Sequence, residues 1–353
     1  MDTKENLHRN GWPMALPAAV ALVLLGCSGG EAPAPVAETA VQPPAAAAEA
    51  PVREITSLAP DLYRFRNNNH FTVFMVTPEG IILADPISAD ASTWLKAEIA
   101  QRFNVPVRYV LYSHHHWDHA SGAAVFNDTA EVIGHENMPA AITAFNAGLP
   151  RNLAAQDKNG NGQLEKDEVQ GGMVALFGSL DRNQDGGVTS AEIMADVMPP
   201  EVTYSGKRTV TLGGKTVELI HPGISHSTDG TVLLFPAERV AYGVDFVGVK
   251  RLPGGLIGDG TYDDWLDTVK VVEALDFDTF SPGHGVVGTK ADVSEFRQYG
   301  EDLKAAVAKG IADGMTLEQL QASIKLEKYA AYENYQNLPA NIAQAHQLLS
   351  SGS

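Results

Sequence analysis

Ser113-His114-His115-His116-Trp117-Asp118-His119 sets four ligand-type side chains, His114, His116, Asp118 and His119, in the pattern H-x-H-x-D-H. The stretch follows an apolar run at 107–112 that reads as a buried strand. Such side chains at a strand's end can converge on one point. Neutral imidazole nitrogens and a carboxylate oxygen are what a zinc-like dication takes. The alternative is a histidine-rich loop that holds no metal. The Asp at the fifth place, the His at the sixth and further candidates downstream speak against it.

Upstream of this stretch, residues 62–65, 71–76 and 81–84 read as strands, the last ending in Asp85-Pro86. Residues 91–103 have helical spacing, with Trp94, Leu95, Ile99 and Phe103 on one side. Downstream, 120–126 reads as a short helix, 131–135 as a strand and 138–146 as a helix. From Arg208 the β pattern returns, with a hairpin of 208–212 and 216–220 about Gly213-Gly214. Strands at 231–235 and 240–245 follow, the second ending in Asp245. A helix at 262–275, a strand ending at Pro282-Gly283-His284-Gly285 and helices over 291–349 complete the chain. Strand pairs followed by helices predict layered α/β structure.

Between these β blocks lie two calcium-type loops. Asp157, Asn159, Asn161, Gln163 and Glu168 occupy the ligand places of a twelve-residue EF-hand loop, with Gly162 at the turn. Asp181, Asn183, Asp185, Gly187 and Glu192 repeat the pattern. Gln163 and Gly187 would offer backbone carbonyls. Leu164 and Val188 hold the apolar eighth place, where paired loops form a short β bridge. A single helix around 173–180 is expected to serve both loops, which is tighter than a two-helix pair. Because residues 150–200 fall between two stretches that carry ligand-type side chains, they are expected to form a calcium-ordered lid or wall.

Taken together, the H-x-H-x-D-H motif, Gly223-x-x-His226, the strand-ending Asp245 and Pro282-Gly283-His284-Gly285 resemble the metallo-β-lactamase superfamily in order and spacing. The resemblance covers about residues 55–288 apart from the calcium segment. It implies a four-layer αββα sandwich with metals at one edge. It also implies that His114, His116 and His226 bind one metal, that Asp118, His119 and His284 bind a second, and that Asp245 bridges them. Asp85 would sit beside the ligands and orient them. Two zinc ions are expected, with iron or manganese open on ligand type alone. Two dications roughly 3.5–4 Å apart supply hydroxide near neutral pH, and Asp118 can take or pass a proton. A bridging Asp resembles the lactonase, thioesterase, phosphoesterase and sulfatase branches, so an ester or lactone is expected ahead of a β-lactam. A di-iron redox centre on the same ligands, or a non-catalytic calcium-binding surface or partner-binding protein, are the other readings. His115 and Trp117 are expected to pack or face the cleft. His70, His135, His221 and Tyr262 receive no assigned role.

The 353 residues carry a net charge of -18, which argues against a nucleic-acid partner. The one cysteine, Cys27, excludes an internal disulfide. It follows a basic N-terminal stretch and an apolar run of about a dozen residues, too short to span a bilayer. Leu24-Leu25-Gly26-Cys27 resembles a bacterial lipobox. The expectation is a lipid-anchored, periplasm-facing protein of the cell envelope, with Ser28 suiting the outer membrane. The expected division is a signal at 1–27, an Ala/Pro tether at 28–54, the first part of the fold at 55–149, the calcium insertion at 150–200, the second part at 201–290 and helices at 291–353.

Overall fold

The computed structural model describes residues 50–170, 173–255 and 258–351. The lipobox around Cys27 and most of the expected tether lie outside the described residues. Within them, no helix is long and apolar enough to cross a membrane.

Strands β1 (Arg53–Ala59), β2 (Leu62–Asn67), β3 (His70–Thr77) and β4 (Gly80–Ala84) form an antiparallel meander. Helix α1 (Ala89–Phe103) returns the chain, so β5 (Val107–Leu111) pairs parallel with β4. Ser88 caps α1 by accepting from the Ala91 amide, and Asn104 ends it in the left-handed region at φ 53°. The helix expected over 120–126 is two pieces, α2 (Trp117–Ala120) and a 3-10 turn at Ala123–Phe126. Gly122 separates them at φ 98°, where its missing Cβ would strike the Ser88 carbonyl at 2.5 Å. Next come β6 (Glu131–His135), α3 (Met138–Asn146), α4 (Arg151–Ala154), β7 (Gln163–Glu165), α5 (Met173–Leu180), β8 (Gly187–Thr189), α6 (Ser190–Ile193) and β9 (Val202–Tyr204). The first sheet runs β1-β2-β3-β4-β5-β6-β9.

The second sheet joins β10 (Lys207–Leu212), β11 (Lys215–Ile220), β12 (Val232–Phe235), β13 (Val240–Gly243), β14 (Thr279–Pro282) and β15 (Gly288–Thr289) in sequence order. Helix α7 (Tyr262–Ala274) crosses between the parallel pair β13 and β14. Helices α8 (Lys290–Ala312), α9 (Leu317–Ser323) and α10 (Leu338–Ser351) follow.

Burial sorts these elements into four layers. Val73, Met75, Ile82, Leu111 and Ile133 of the first sheet meet Val217, Leu219, Leu233, Phe235 and Tyr242 of the second in one apolar core. The outer face of the second sheet packs on α7, α8 and α10 through Trp265, Val269, Phe296, Leu303 and Ile342. The outer face of the first packs on α1 and α3 through Leu95, Ile99, Val110, Ile142 and Phe145. Each fully buried side chain of this size contributes about 1.5–3 kcal/mol.

The calcium-type segment joins that last core. Leu164, Val169, Met173, Phe177, Leu180, Val188 and Ile193 lie in one cluster with Leu95 and Val110. Strands β7 and β8 pair Leu164 with Val188, as the loop pattern predicts. The segment then runs into a clamp on the histidine-rich stretch. Tyr112 donates its hydroxyl to the Met198 carbonyl at 2.8 Å, Gly122 donates to the Asp196 carbonyl at 2.9 Å, and Ser121 bridges Val197. These ties bracket the motif on both sides. Of residues 150–200, Pro150 alone among the described residues lines the cleft beside the site. The segment is thus a buttress under the motif, and the expected lid is corrected.

Candidate metal centre

Five loops at one end of the two sheets deliver the site. Asp85 follows β4, the histidine-rich stretch follows β5, His226 follows β11, Asp245 follows β13 and His284 follows β14. Ligands beyond the carboxyl ends of parallel strands are the usual arrangement in such layers. Two groups result. His114, His116, His226 and Asp245 bring one atom each to within 4.8 Å of one another, and Asp118, His119, Asp245 and His284 do the same.

Asp245 belongs to both groups. Its Oδ2 lies 3.5 Å from His114 Nε2, 3.4 Å from His226 Nε2 and 3.5 Å from His119 Nε2, and its Oδ1 lies 3.2 Å from His284 Nε2. Asp245 sits at φ 68°, a strained place for a residue with a Cβ. Ile87 at φ 71° is stranger still for a β-branched side chain, and its amide donates to the His119 carbonyl at 2.8 Å. The surrounding contacts hold the backbone in these two strained forms.

The donor atoms suit a cation. His284 Nδ1 donates to the Asn69 carbonyl at 2.9 Å, which aims Nε2 at His119 Nε2, 3.0 Å away. His226 Nε2 and His116 Nδ1 stand 2.8 Å apart. His114 Nε2 is buried with no hydrogen-bond partner among the described residues. Imidazole nitrogens packed this closely, with the buried His114 Nε2 left over, are what a cation among them would satisfy.

Electrostatics divides the two groups. Burial pushes His226 down to about 4, with the neighbouring His114 adding to it. Burial and the surrounding imidazoles hold His116 well below the histidine range. Both rings are therefore neutral and ready to ligate. Burial also opposes charge on His119, yet Asp118 and Asp245 overcome it and push that ring up to about 10. Burial works against the Asp118 and Asp245 carboxylates, but the imidazoles around them hold both well below the carboxylate range. In the absence of a cation the second group thus keeps a proton on His119, which a metal must expel. Affinity at this group is expected to rise with pH as that proton is lost, while His116 and His226 add no pH dependence above about pH 5. Calorimetric titration with zinc in two buffers of different ionisation enthalpy measures it, with about one proton released at one site only.

Neighbours fix the ligands in place. Asp85 accepts from the Ser113 amide at 2.7 Å and from the Tyr242 hydroxyl at 2.9 Å, with His119 Nδ1 4.0 Å away. Burial and the Asp85 charge push Tyr242 well above the phenol range, so it stays a donor. Arg64 donates to the carbonyls of Pro282 at 3.1 Å and Gly285 at 2.7 Å, gripping the loop that carries His284. Burial lowers Arg64 only to about 10, so it remains charged. Sequence reasoning missed Arg64 and Tyr242. The one signal for Arg64 is an arginine sharing a strand face with the core residue Leu62. Gly283 leaves room for His119, since a Cβ there would meet Val244 at 2.7 Å and His119 Cε1 at 3.1 Å. Gly283→Ala is expected to weaken zinc at the second group about 10–100-fold in chelator competition, leaving the first group intact.

The remaining histidines find other places. His70 Nε2 lies 3.2 Å from Asp118 Oδ2. His135 and His221 stack with centroids 4.1 Å apart, away from both groups, and His221 Nδ1 donates to the Gly230 carbonyl at 2.7 Å. Tyr262 is buried under α8 and donates to the Gly300 carbonyl at 2.8 Å, so it takes no part in the cleft. Trp117 packs against the outer core of the first sheet. In the calcium-type loops, Asp157 accepts from the Gly160 and Gly162 amides at 2.7 and 2.9 Å, and Glu168 accepts from the Lys158 amide at 2.8 Å. Glu192 accepts from the Thr189 amide at 2.9 Å and from the Arg182 amide at 3.2 Å.

A cleft of about 970 Å³ opens beside His116 and His226, walled by α3 and α10. No lysine or arginine is among the described residues that line it. A smaller recess beside Asp245 and His284 holds Arg251.

The family model described as Metallo-beta-lactamase superfamily matches residues 70–284. The chain is 24% identical over 271 residues to the linear primary-alkylsulfatase of Pseudomonas sp. (strain ATCC 19151), covering 72% of this chain and 49% of that protein. It is 27% identical over 183 residues to the 2,4-dinitroanisole O-demethylase subunit alpha of Nocardioides sp. (strain JS1661), covering 51% of this chain and 40% of that one. The chain spans less than half the length of both curated relatives. Among solved structures, the stereoselective inverting sec-alkylsulfatase Pisa1 from Pseudomonas sp. has a TM-score of 0.62 at 14% identity, over 84% of this chain and 50% of that one. That likeness is one of fold.

Proposed function

The chain belongs to the Metallo-beta-lactamase superfamily, and on that premise we propose that it is a dinuclear metal-dependent hydrolase of an ester, lactone or related bond. One observation carries the reading: Asp245 stands within 3.5 Å of four imidazole nitrogens and joins two ligand groups into one centre. His114, His116 and His226 would hold one metal, and Asp118, His119 and His284 the other. Bound there, a pair of dications lowers the pKa of a shared water and polarises the substrate's carbonyl. The protein's own part is to place and exclude. Buried His114 and His119 close the floor, while His116 and His226 face the cleft where the substrate enters. Asp118, in contact with His70, stands ready to hold or pass a proton at Oδ2.

The cleft favours a neutral substrate, since the described lining residues include no cation to meet a retained negative charge. A sulfate ester is the second reading. Arg251 beside Asp245 and His284 supports it, as does the likeness to alkylsulfatases. We assign calcium to the tandem loops, supported by the filled ligand places, the Leu164–Val188 bridge and glycines at φ 82° and 93° at the sixth places. We also assign a lipid anchor at Cys27 and a place in the periplasm-facing envelope, resting on the lipobox alone.

The test is hydrolysis of a panel of carboxylic ester, lactone, thioester, β-lactam, phosphoester and sulfate ester by protein loaded with zinc, iron or manganese. Turnover of neutral carboxylic esters or lactones above sulfate esters supports the first reading. The reverse order supports the second. A protein that binds two metals and turns over none is a binding module.

A further inference from the structure

His115 stands inside the ligand motif and belongs to neither metal group. Its ring is 8% exposed and forms part of the cleft wall beside His116, with ring centroids 4.6 Å apart. Nδ1 lies 2.9 Å from Asp229 Oδ1. A carboxylate only accepts, so Nδ1 carries the hydrogen and the neutral ring keeps its lone pair on Nε2. Nε2 makes no hydrogen bond among the described residues, although the ring borders the cleft. Asp229 is 1% exposed, with the Ser227 hydroxyl beside its carboxylate. Burying a carboxylate is costly, and a histidine that served only as filling would not require one. The arrangement fixes one tautomer and one ring orientation. Ala144, Phe145 and Leu149 present apolar side chains to the same cleft, with the Phe145 ring 6.3 Å from that of His115.

We infer that His115, held by Asp229, contacts the substrate. Its Nε2 accepts a hydrogen bond from a hydroxyl or amide N–H a short reach from the scissile carbonyl, while an apolar alkyl or aryl arm lies along α3. The inference rests on the hydrolase reading and narrows its substrate to a carboxylic acid derivative that carries such a donor and such an arm. His115 is a specificity residue and Asp229 a positioning residue.

Calorimetric titration of the zinc-loaded full chain with 3-hydroxy-5-phenylpentanoate and 5-phenylpentanoate tests it, the two acids standing for a product with and without the donor. The hydroxy acid is expected to bind up to about tenfold tighter, the effect of one neutral hydrogen bond. His115→Phe is expected to erase that preference with zinc content unchanged. His115→Gln, whose amide oxygen also accepts, is expected to keep most of it, and Asp229→Asn to reduce it. This order is readable even where one variant folds poorly. Equal binding of both acids by the unaltered protein overturns the role of His115 alone. A preference that survives in His115→Phe also overturns it, because the hydroxyl is then held elsewhere. Binding of neither acid by protein carrying two zinc ions overturns the hydrolase reading and the inference with it.

Discussion

Asp245→Asn is expected to lower kcat/KM at least about 1000-fold and to cut bound zinc from about two per chain to one or fewer. Among the described residues the carboxylate is the sole member of both groups, and no other side chain there is placed to bridge them. Its charge also opposes the repulsion among His114, His119, His226 and His284, all within 3.5 Å. An amide keeps the shape and one acceptor oxygen but supplies no charge, so the imidazoles lose the anion that gathers them. With Asp245 gone, His119 also loses one of the two carboxylates that push it up to about 10. Its titration is then expected to fall toward the ordinary histidine range, readable by NMR of the metal-free variant. The strained φ of 68° makes a further prediction. Asn tolerates the left-handed region as well as Asp does, so the fold should persist, with Tm of the metal-free variant lowered by the lost pairing with His119. Loss of activity without loss of fold separates a charge effect from a folding effect. Two zinc ions retained with activity within tenfold of the unaltered protein contradict the assignment.

The second large effect concerns calcium. Removing it by dialysis into calcium-free buffer at fixed free zinc is expected to lower Tm by about 10 °C. Two sites held near 100 times their Kd contribute about 2.7 kcal/mol each, and a chain of this size loses about 2 °C per kcal/mol. The loop carboxylates repel one another without a cation between them. The path to the metal centre is short. Glu192 ends the second loop on α6, and the chain beyond it reaches the Tyr112 hydroxyl, Ser121 and the Gly122 amide. Those three residues flank the histidine-rich stretch. Calcium loss should therefore cost zinc as well as stability, and protease cutting should appear first between α4 and α6. Glu168→Gln with Glu192→Gln is expected to reproduce both effects in the presence of calcium. Unchanged Tm, zinc content and protease pattern in calcium-free buffer sink the buttress.

Much of the architecture could be read along the chain because each ligand loop ends a strand with its own apolar pattern. Glu131–His135 and Met138–Asn146 fall where periodicity places them. The three-residue β9 escaped notice, since its pairing with β6 depends on the chain's exit from the calcium segment rather than on any pattern of its own. Which strand joins which sheet was not readable either, because periodicity reports a buried face and not the neighbour that buries it. The residues of the two groups that could hold a metal were legible from their types and spacing. Their supports were not. Arg64 meets the Gly285 carbonyl across 221 positions, and His115 meets Asp229 across 114. A lone Arg or Asp carries no local sign of a partner that distant. The expected lid failed for a related reason. An insertion between ligand loops can fold over the cleft or under it. The apolar faces of Leu164, Phe177 and Val188 chose the outer side of the first sheet.

The most direct measurement is anomalous diffraction at the zinc edge from crystals of the zinc-loaded protein. The account predicts two peaks, one among His114, His116 and His226 and one among Asp118, His119 and His284, with Asp245 reaching both. A single peak, or zinc found in the loops at 157–168 and 181–192 with none at Asp245, contradicts it.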